Sequence, residues 1–160
     1  MDKEHTCCFT GHRPDRLPWG ADEEDPRCLA LKARLADALE EEYRAGTRHF
    51  ICGMARGADL YFAEAVLALR ARLPGVTLEC ARPCESQAHS WPREEQDRYQ
   101  SILDRCDFET LVQHHYDRAV WPGATATWWT TPPASSEYTT GSPRGAPLRR
   151  CSMPCARACT

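Results

Sequence analysis

Short apolar runs and longer amphipathic segments alternate along roughly the first three quarters of the chain. The apolar runs are typical of buried strands and predict strands at residues 5–10, 49–52, 76–81 and 108–112. The segments between them carry apolar residues at every third or fourth position, which indicates helices. A strand–helix order repeated in this way predicts an α/β fold, a doubly wound and mostly parallel sheet with right-handed crossovers.

Three helices are predicted between these strands. Asp25-Pro26 opens the first, because aspartate is a good N-cap and proline suits the first helical position. The second covers residues 57–73. Ser90 is predicted to cap the third, and Glu94 and Glu95 lie in its first turn, where acids favour the helix dipole. The predicted buried stripe of the third helix is Tyr99, Ile102, Leu103 and Cys106.

The pattern stops near Arg118, so we predict a domain at 1–118 and an irregular tail at 119–160. The tail has no period of 2 or 3.6 and holds three of the five tryptophans, at 121, 128 and 129. A parallel sheet that ends after four strands is a truncated one. We therefore expect the C-terminal part of the fold to be incomplete or disordered.

Back-translation suggests that the tail is out of frame. Tryptophan has a single codon, so the shifted reading is forced to Ala at Trp121–Pro122, Val at Trp128–Trp129 and Asp at Trp129–Thr130. One permitted reading continues into an apolar strand, L-I-G-V-Y, and a Gly-Gly-Thr turn. We hypothesise a frameshift close to Arg118–Ala119, which removes the fifth strand and a further ligand loop.

Composition limits the class of protein. The net charge of −3 gives no global support for nucleic-acid binding, and no apolar run reaches the roughly 20 residues of a membrane span. The N-terminus is charged and lacks the apolar segment of a signal peptide, so we expect a cytoplasmic protein.

The ten cysteines are scattered and include no C-x-x-C pair. We therefore expect reduced, mostly buried thiols rather than disulfides or a zinc ribbon. No metal site is expected. The residues that could otherwise suggest a metal site lie in or next to the suspected out-of-frame region, and they are His114, His115, Cys151, Cys155 and Cys159.

Two glycine-containing segments carry most of the functional signal. T-G-H-R-P at 10–14 follows the first strand, and C-G-M-A-R-G-A-D at 52–59 follows the second. A strand that runs into a glycine-rich turn and a helix N-terminus is typical of a binding site for an anion such as phosphate. The glycine spacing matches neither the dinucleotide fingerprint nor the P-loop.

These segments and the one after the third strand supply candidate ligand contacts. Arg13 would pair with a phosphate or carboxylate, and Asp59 would accept from ribose hydroxyls or from loop N–H groups, or else serve as a first-turn helix acid. Gln87 would read a base edge and Trp91 would stack on it, or else anchor the helix. The predicted ligand-binding set is Gly11, His12, Arg13, Gly53, Met54, Arg56, Gly57, Asp59, Gln87 and Trp91.

The two motifs, with Pro83, Gln87, Trp91, Arg98-Tyr99 and Ile102-Leu103, resemble the YpsA-like family of the SLOG superfamily of Rossmann-like proteins. The second motif is also similar to a segment of DNA-processing protein A. The resemblance covers about residues 5–118. It implies a Rossmann-like domain that binds a nucleotide-derived ligand, ADP-ribose-like, with a link to bacterial cell division and stress and no settled enzymatic activity.

The expected function is therefore ligand binding in a regulatory role, with two alternatives. One is an N-glycosidic or phosphoribosyl hydrolase that uses Glu64 or His12, although the Arg–Glu motif of the hydrolase branch is not found here. The other is a single-stranded DNA-binding protein, against which the net charge argues. A protein partner in cell division and self-association stay open, and no cofactor is assigned beyond the nucleotide-like ligand.

Overall fold

The computed structural model describes residues 5–113 and 148–150. A short 3-10 turn, Pro14–Arg16, follows the first strand. The elements, in chain order, are β1 Thr6–Phe9, α1 Pro26–Arg44, β2 His49–Cys52, α2 Ala58–Arg72, β3 Thr77–Cys84, α3 Arg93–Leu103, β4 Phe108–Gln113 and β5 Leu148–Arg150. This order confirms the predicted α/β class, including its Rossmann-like alternation of strands and helices.

The sheet has the strand order β4-β3-β2-β1-β5. Strands β1 to β4 are parallel, and β5 pairs antiparallel with β1. Each of the three crossovers between the parallel strands moves one position in the same direction. Right-handed crossovers that advance in one direction place their helices on one face of the sheet.

The core lies between that face and the three helices. Phe62 of α2 stacks on Phe9 with 4.5 Å between ring centroids and meets Phe50 edge-on at 6.4 Å. Tyr99 and Ile102 of α3 belong to the same buried cluster. The strand residues of this cluster occupy alternate positions, and they are Cys7, Phe9, Phe50, Cys52, Leu78 and Cys80.

The other face of the sheet carries a polar network. The His49 ring contacts Thr77 Oγ1 through Nδ1 at 2.8 Å and Glu79 Oε2 through Nε2 at 2.7 Å. The Thr110 hydroxyl donates to Glu79 Oε1 at 2.6 Å. The hydrogen bond from His49 lowers the pKa of Glu79 despite burial of the carboxyl. Because these residues come from three strands, the network ties β2, β3 and β4 together.

Helix starts show where local sequence signals succeed and fail. The Asp25 side chain accepts from the Arg27 N–H at 2.8 Å, so the predicted cap of α1 is confirmed. The predicted Ser90 cap is wrong, because α3 begins at Arg93 with Pro92 at the N-cap position and no side-chain capping bond. Proline fixes its own φ, here −54°, and so sets the direction in which the chain joins the helix.

Two strand predictions also differ from the structure. Strand β3 continues past residue 81 to Cys84, because β4 runs beside it as far as the pair Cys84↔Gln113. The tail was predicted to be irregular, yet Leu148–Arg150 pairs antiparallel with β1, which is otherwise the edge strand of the parallel sheet. The frameshift site and the alternative metal cluster lie outside the described residues.

Among the described residues, the cysteines are free thiols, and all but Cys106 are buried. This agrees with the prediction of reduced, buried thiols. In the same part of the chain, no group of three or more His, Cys, Asp or Glu side chains is placed to hold a metal ion. The described helices include none with the length and apolar character needed to cross a membrane.

Candidate functional site

A cavity of about 660 Å³ opens at the carboxyl ends of β1, β2 and β3. Loops at this end of parallel strands converge, which is why one cavity is shared by three connections. The cavity brings together four predicted ligand-binding residues: Arg13, Arg56, Gln87 and Trp91. The other lining residues are Pro14, Asp15, Ala55, Cys84, Ser86 and Ser90.

The remaining predicted residues do not line the cavity. Two of them, Asp59 and Gly11, are joined by a hydrogen bond. The Asp59 side chain is buried at the start of α2. One carboxylate oxygen accepts the Gly11 N–H at 2.6 Å, and the other accepts the Ala55 N–H at 3.2 Å. Of the alternatives left open by the sequence, the structure shows the contact with loop N–H groups. Asp59 therefore joins the β1 loop to the β2 loop.

Burial changes the protonation of this carboxyl. It raises the pKa of Asp59 to about 7, while the hydrogen bonds from Ala55 and Gly11 and the charge of Arg13 act in the opposite direction. Desolvation disfavours the charged form of an acid, which accounts for the direction of the shift. The Asp59 carboxyl consequently titrates near neutral pH.

The glycines are required by the close packing of the two loops. A Cβ on Gly11 would lie 2.4 Å from the Ala58 Cβ, and one on Gly57 would lie 2.7 Å from the His12 carbonyl oxygen. That oxygen accepts the Ala58 N–H at 3.1 Å. Gly57 also has a φ of +87°, which favours glycine. These glycines thus allow loop-to-loop approach, whereas the sequence had suggested approach to an anion.

Met54 and His12 do not line the cavity, and their side chains differ in burial. The Met54 side chain is fully buried in the core, and its backbone has a φ of +58°. Its N–H donates to Cys52 Sγ at 3.4 Å, and the Cys52 thiol donates to the Asp59 carbonyl at 3.1 Å. Burial raises the pKa of Cys52, so this thiol stays protonated as a donor. The side chain of His12 is exposed.

Arg56 lines the cavity and is engaged by Glu95, a partner that the sequence did not reveal. The guanidinium binds the Glu95 carboxylate as a fork: Nε donates to Oε2, and the second donor reaches Oε1 at 2.6 Å. The hydrogen bonds that Arg56 donates to Glu95 raise the pKa of Arg56. The pair connects the β2 loop to the first turn of α3. The acidic first turn was visible in the sequence, but its partner lies 39 residues away.

Gln87 holds the β2 loop against α3. Its amide nitrogen donates to the Gly53 carbonyl at 3.1 Å, and its amide oxygen accepts the Tyr99 hydroxyl at 3.0 Å. Burial raises the pKa of Tyr99 to about 12, so the phenol remains a donor. Trp91 packs edge-on against Tyr99, with 5.2 Å between ring centroids, and also lines the cavity. The indole therefore anchors α3 and remains available to a ligand.

Glu64, the weak catalytic candidate, is held elsewhere in an ion-pair network. Both of its carboxylate oxygens accept from Arg98 at 2.6 Å. Arg98 also binds Glu23, which pairs with Lys32 at 2.6 Å. Glu64 is absent from the cavity lining, so the structure does not bring it together with Arg13 or Arg56.

The comparisons with known proteins point to one family. The YpsA family model, described as the YspA SLOG family, matches residues 7–121. A UPF0398 protein of Lysinibacillus sphaericus is 27% identical over 113 residues, which is 71% of this chain and 63% of that protein. A UPF0398 protein of Brevibacillus brevis is 30% identical over 92 residues, which is 58% of this chain and 47% of that protein. The aligned part of this chain thus spans less than two thirds of either relative.

Proposed function

The chain belongs to the YspA SLOG family, and from that premise we propose that its α/β domain binds a nucleotide-derived ligand of the ADP-ribose class. One observation carries the proposal: Arg13 and Arg56, from two different loops, line the same cavity as Trp91. Guanidinium groups match phosphate oxygens, and an indole offers a stacking surface for a base. A volume of about 660 Å³ falls within the range of small-molecule sites.

The side chains around the cavity have distinct roles in this proposal. Arg13 and Arg56 bind the phosphate groups, and Trp91 stacks on the base. The hydroxyls of Ser86 and Ser90, which also line the cavity, are donors and acceptors suited to a ribose. The glycines and Asp59 act indirectly, since they hold the two loops at the spacing that the arginines need.

We extend the proposal to a regulatory role, in which the bound ligand changes how a bacterial protein partner in stress or cell division is recognised. The support is the family membership together with the resemblance of the two loop motifs. Recognition of a partner that depends on the cavity residues is what this role requires. A pulldown whose yield changes between wild type and Arg13→Ala would support it.

The ligand proposal is tested by calorimetric titration with ADP-ribose. Arg13→Ala is expected to weaken binding about tenfold, because a charge-assisted contact to phosphate is lost. Arg16→Ala is the matched control: it removes a nearby arginine whose side chain is 78% exposed and does not line the cavity. Equal affinities for wild type and Arg13→Ala, with circular dichroism showing both folded, would contradict the proposal.

A further inference from the structure

The Glu95 carboxylate already binds Arg56, an arginine of the cavity. We propose that Glu95 is an internal competitor for Arg56, so that the site selects ligands by the negative charge of their phosphate group. This inference rests on the proposed function, since it concerns the same cavity. It assigns to Glu95 a role in specificity without requiring that Glu95 touch the ligand.

Glu95 and a phosphate group would compete for the same nitrogen atoms of Arg56. A carboxylate bound to both Nε and a terminal nitrogen of Arg56 uses the same fork that binds two phosphate oxygens. The side chains of Arg56 and Glu95 are 33% and 24% exposed, so their contact is partly shielded yet open to exchange. Arg56 lines the cavity, whereas Glu95 does not. A ligand in the cavity therefore meets an arginine whose Nε and one terminal nitrogen already bind the Glu95 carboxylate.

The chemistry of the competitor sets the class of ligand. A neutral nucleoside or a monocarboxylate offers Arg56 no more charge than Glu95 already supplies. A phosphate or pyrophosphate group carries more charge and more acceptor oxygens, so it can replace the internal carboxylate. The expected ligands are thus nucleotides whose phosphate reaches Arg56, rather than nucleosides or their carboxylate derivatives.

Glu94 provides a matched control for Glu95. Both acids lie in the first turn of α3, and Glu94 is exposed. Glu95→Gln and Glu94→Gln each remove one negative charge from nearly the same place, so their long-range effects on an anion are similar. Only Glu95→Gln frees the fork of Arg56. We expect Glu95→Gln to bind inorganic pyrophosphate roughly threefold to tenfold more tightly than Glu94→Gln does.

The experiment is a calorimetric titration of wild type and both variants with pyrophosphate and, separately, with ADP-ribose. The same two glutamine substitutions are then made in an Arg56→Gln background, where the advantage of Glu95→Gln is expected to vanish. Thermal unfolding identifies any variant that fails to fold. Persistence of the advantage without Arg56 would overturn the inference, because the effect would then be general electrostatics.

The two probes separate this inference from the proposed function. Tighter pyrophosphate binding by Glu95→Gln without any ADP-ribose binding would support the competition and reject the nucleotide ligand. Binding of ADP-ribose with equal pyrophosphate affinities for the two glutamine variants would reject the competition alone. No binding of either probe to any folded variant would reject both.

Discussion

Replacing Gly57 with alanine tests whether close backbone contact holds the two glycine-containing loops together. Gly57 has φ +87° and ψ −127°, a region that suits glycine. An added Cβ would lie 2.7 Å from the His12 carbonyl oxygen and 3.1 Å from the Pro14 Cδ. Neither a backbone carbonyl nor a proline ring can rotate out of the way. The β1 loop would have to move.

The expected cost has two parts. A non-glycine residue held in such a backbone conformation costs about 1–3 kcal/mol. Displacing the His12 carbonyl weakens its hydrogen bond from the Ala58 N–H, which contributes about 0.5–1.5 kcal/mol. We therefore expect Gly57→Ala to lower the free energy of unfolding by about 3 kcal/mol. That is a large fraction of the stability of an ordinary domain, roughly 5–15 kcal/mol.

Gly20→Ala is the control for a glycine with a positive φ but no close contact. Gly20 also has a positive φ, +61°, but nothing lies within 4 Å of its added Cβ. Its variant should therefore lose only the backbone term, about 1–2 kcal/mol. Urea unfolding followed by circular dichroism measures both variants. If Gly57→Ala lowers the free energy of unfolding no more than Gly20→Ala does, the loops are not held by this contact and the reasoning is refuted.

Three further predictions concern the buried acid, the ion-pair network and the tail. The pKa of Asp59 in the folded chain is raised from 3.8 to about 7. Between these two pH values the folded chain retains a proton that the unfolded chain releases. The free energy of unfolding therefore falls as the pH rises through this range. From about pH 4 to about pH 8, the free energy of unfolding measured in urea should therefore fall less for Asp59→Asn than for wild type. An equal fall in both proteins would contradict the raised pKa of Asp59. Glu64→Gln breaks the pair with Arg98 and should lower stability by at most about 1 kcal/mol. It should leave ADP-ribose affinity within about twofold of wild type, whereas a large loss would favour the hydrolase alternative. Resequencing the coding DNA across Tyr116–Val120 should reveal a missing or extra base, and an intact printed frame would reject the frameshift.

The parts of the fold that depend on local signals could be predicted from the sequence. Strand β2 was predicted at 49–52 and found there, because its apolar run is short and lies between Arg48 and Gly53. Helix α1 starts where Asp25 and Pro26 predict. The end of β3 could not be predicted, because it depends on how far β4 accompanies it. Pairing between strands that are distant in the chain cannot be deduced from the residues of one strand alone.

The candidate site divides in a similar way. The sequence identified the loops that meet, because the carboxyl ends of adjacent parallel strands share one edge. It identified Asp59 but left its partners open, and the structure shows its carboxylate bonded to the N–H groups of Gly11 and Ala55. Glu95 was seen only as an acid in a helix's first turn. Its pairing with Arg56 depends on the tertiary packing of α3, which no spacing rule describes.

The separation between the residues that shape the loops and those that line the cavity has a consequence for how relatives diverge. Gly11, Gly57 and Asp59 lie outside the cavity lining, and replacing them disturbs the loops themselves. The lining residues Ser86 and Ser90 hold no such position, so they can be exchanged while the scaffold persists. Two proteins can then share the glycine–aspartate signature and bind different molecules. The signature therefore marks the loop scaffold, and under the proposed function the lining residues would set which ligand is bound.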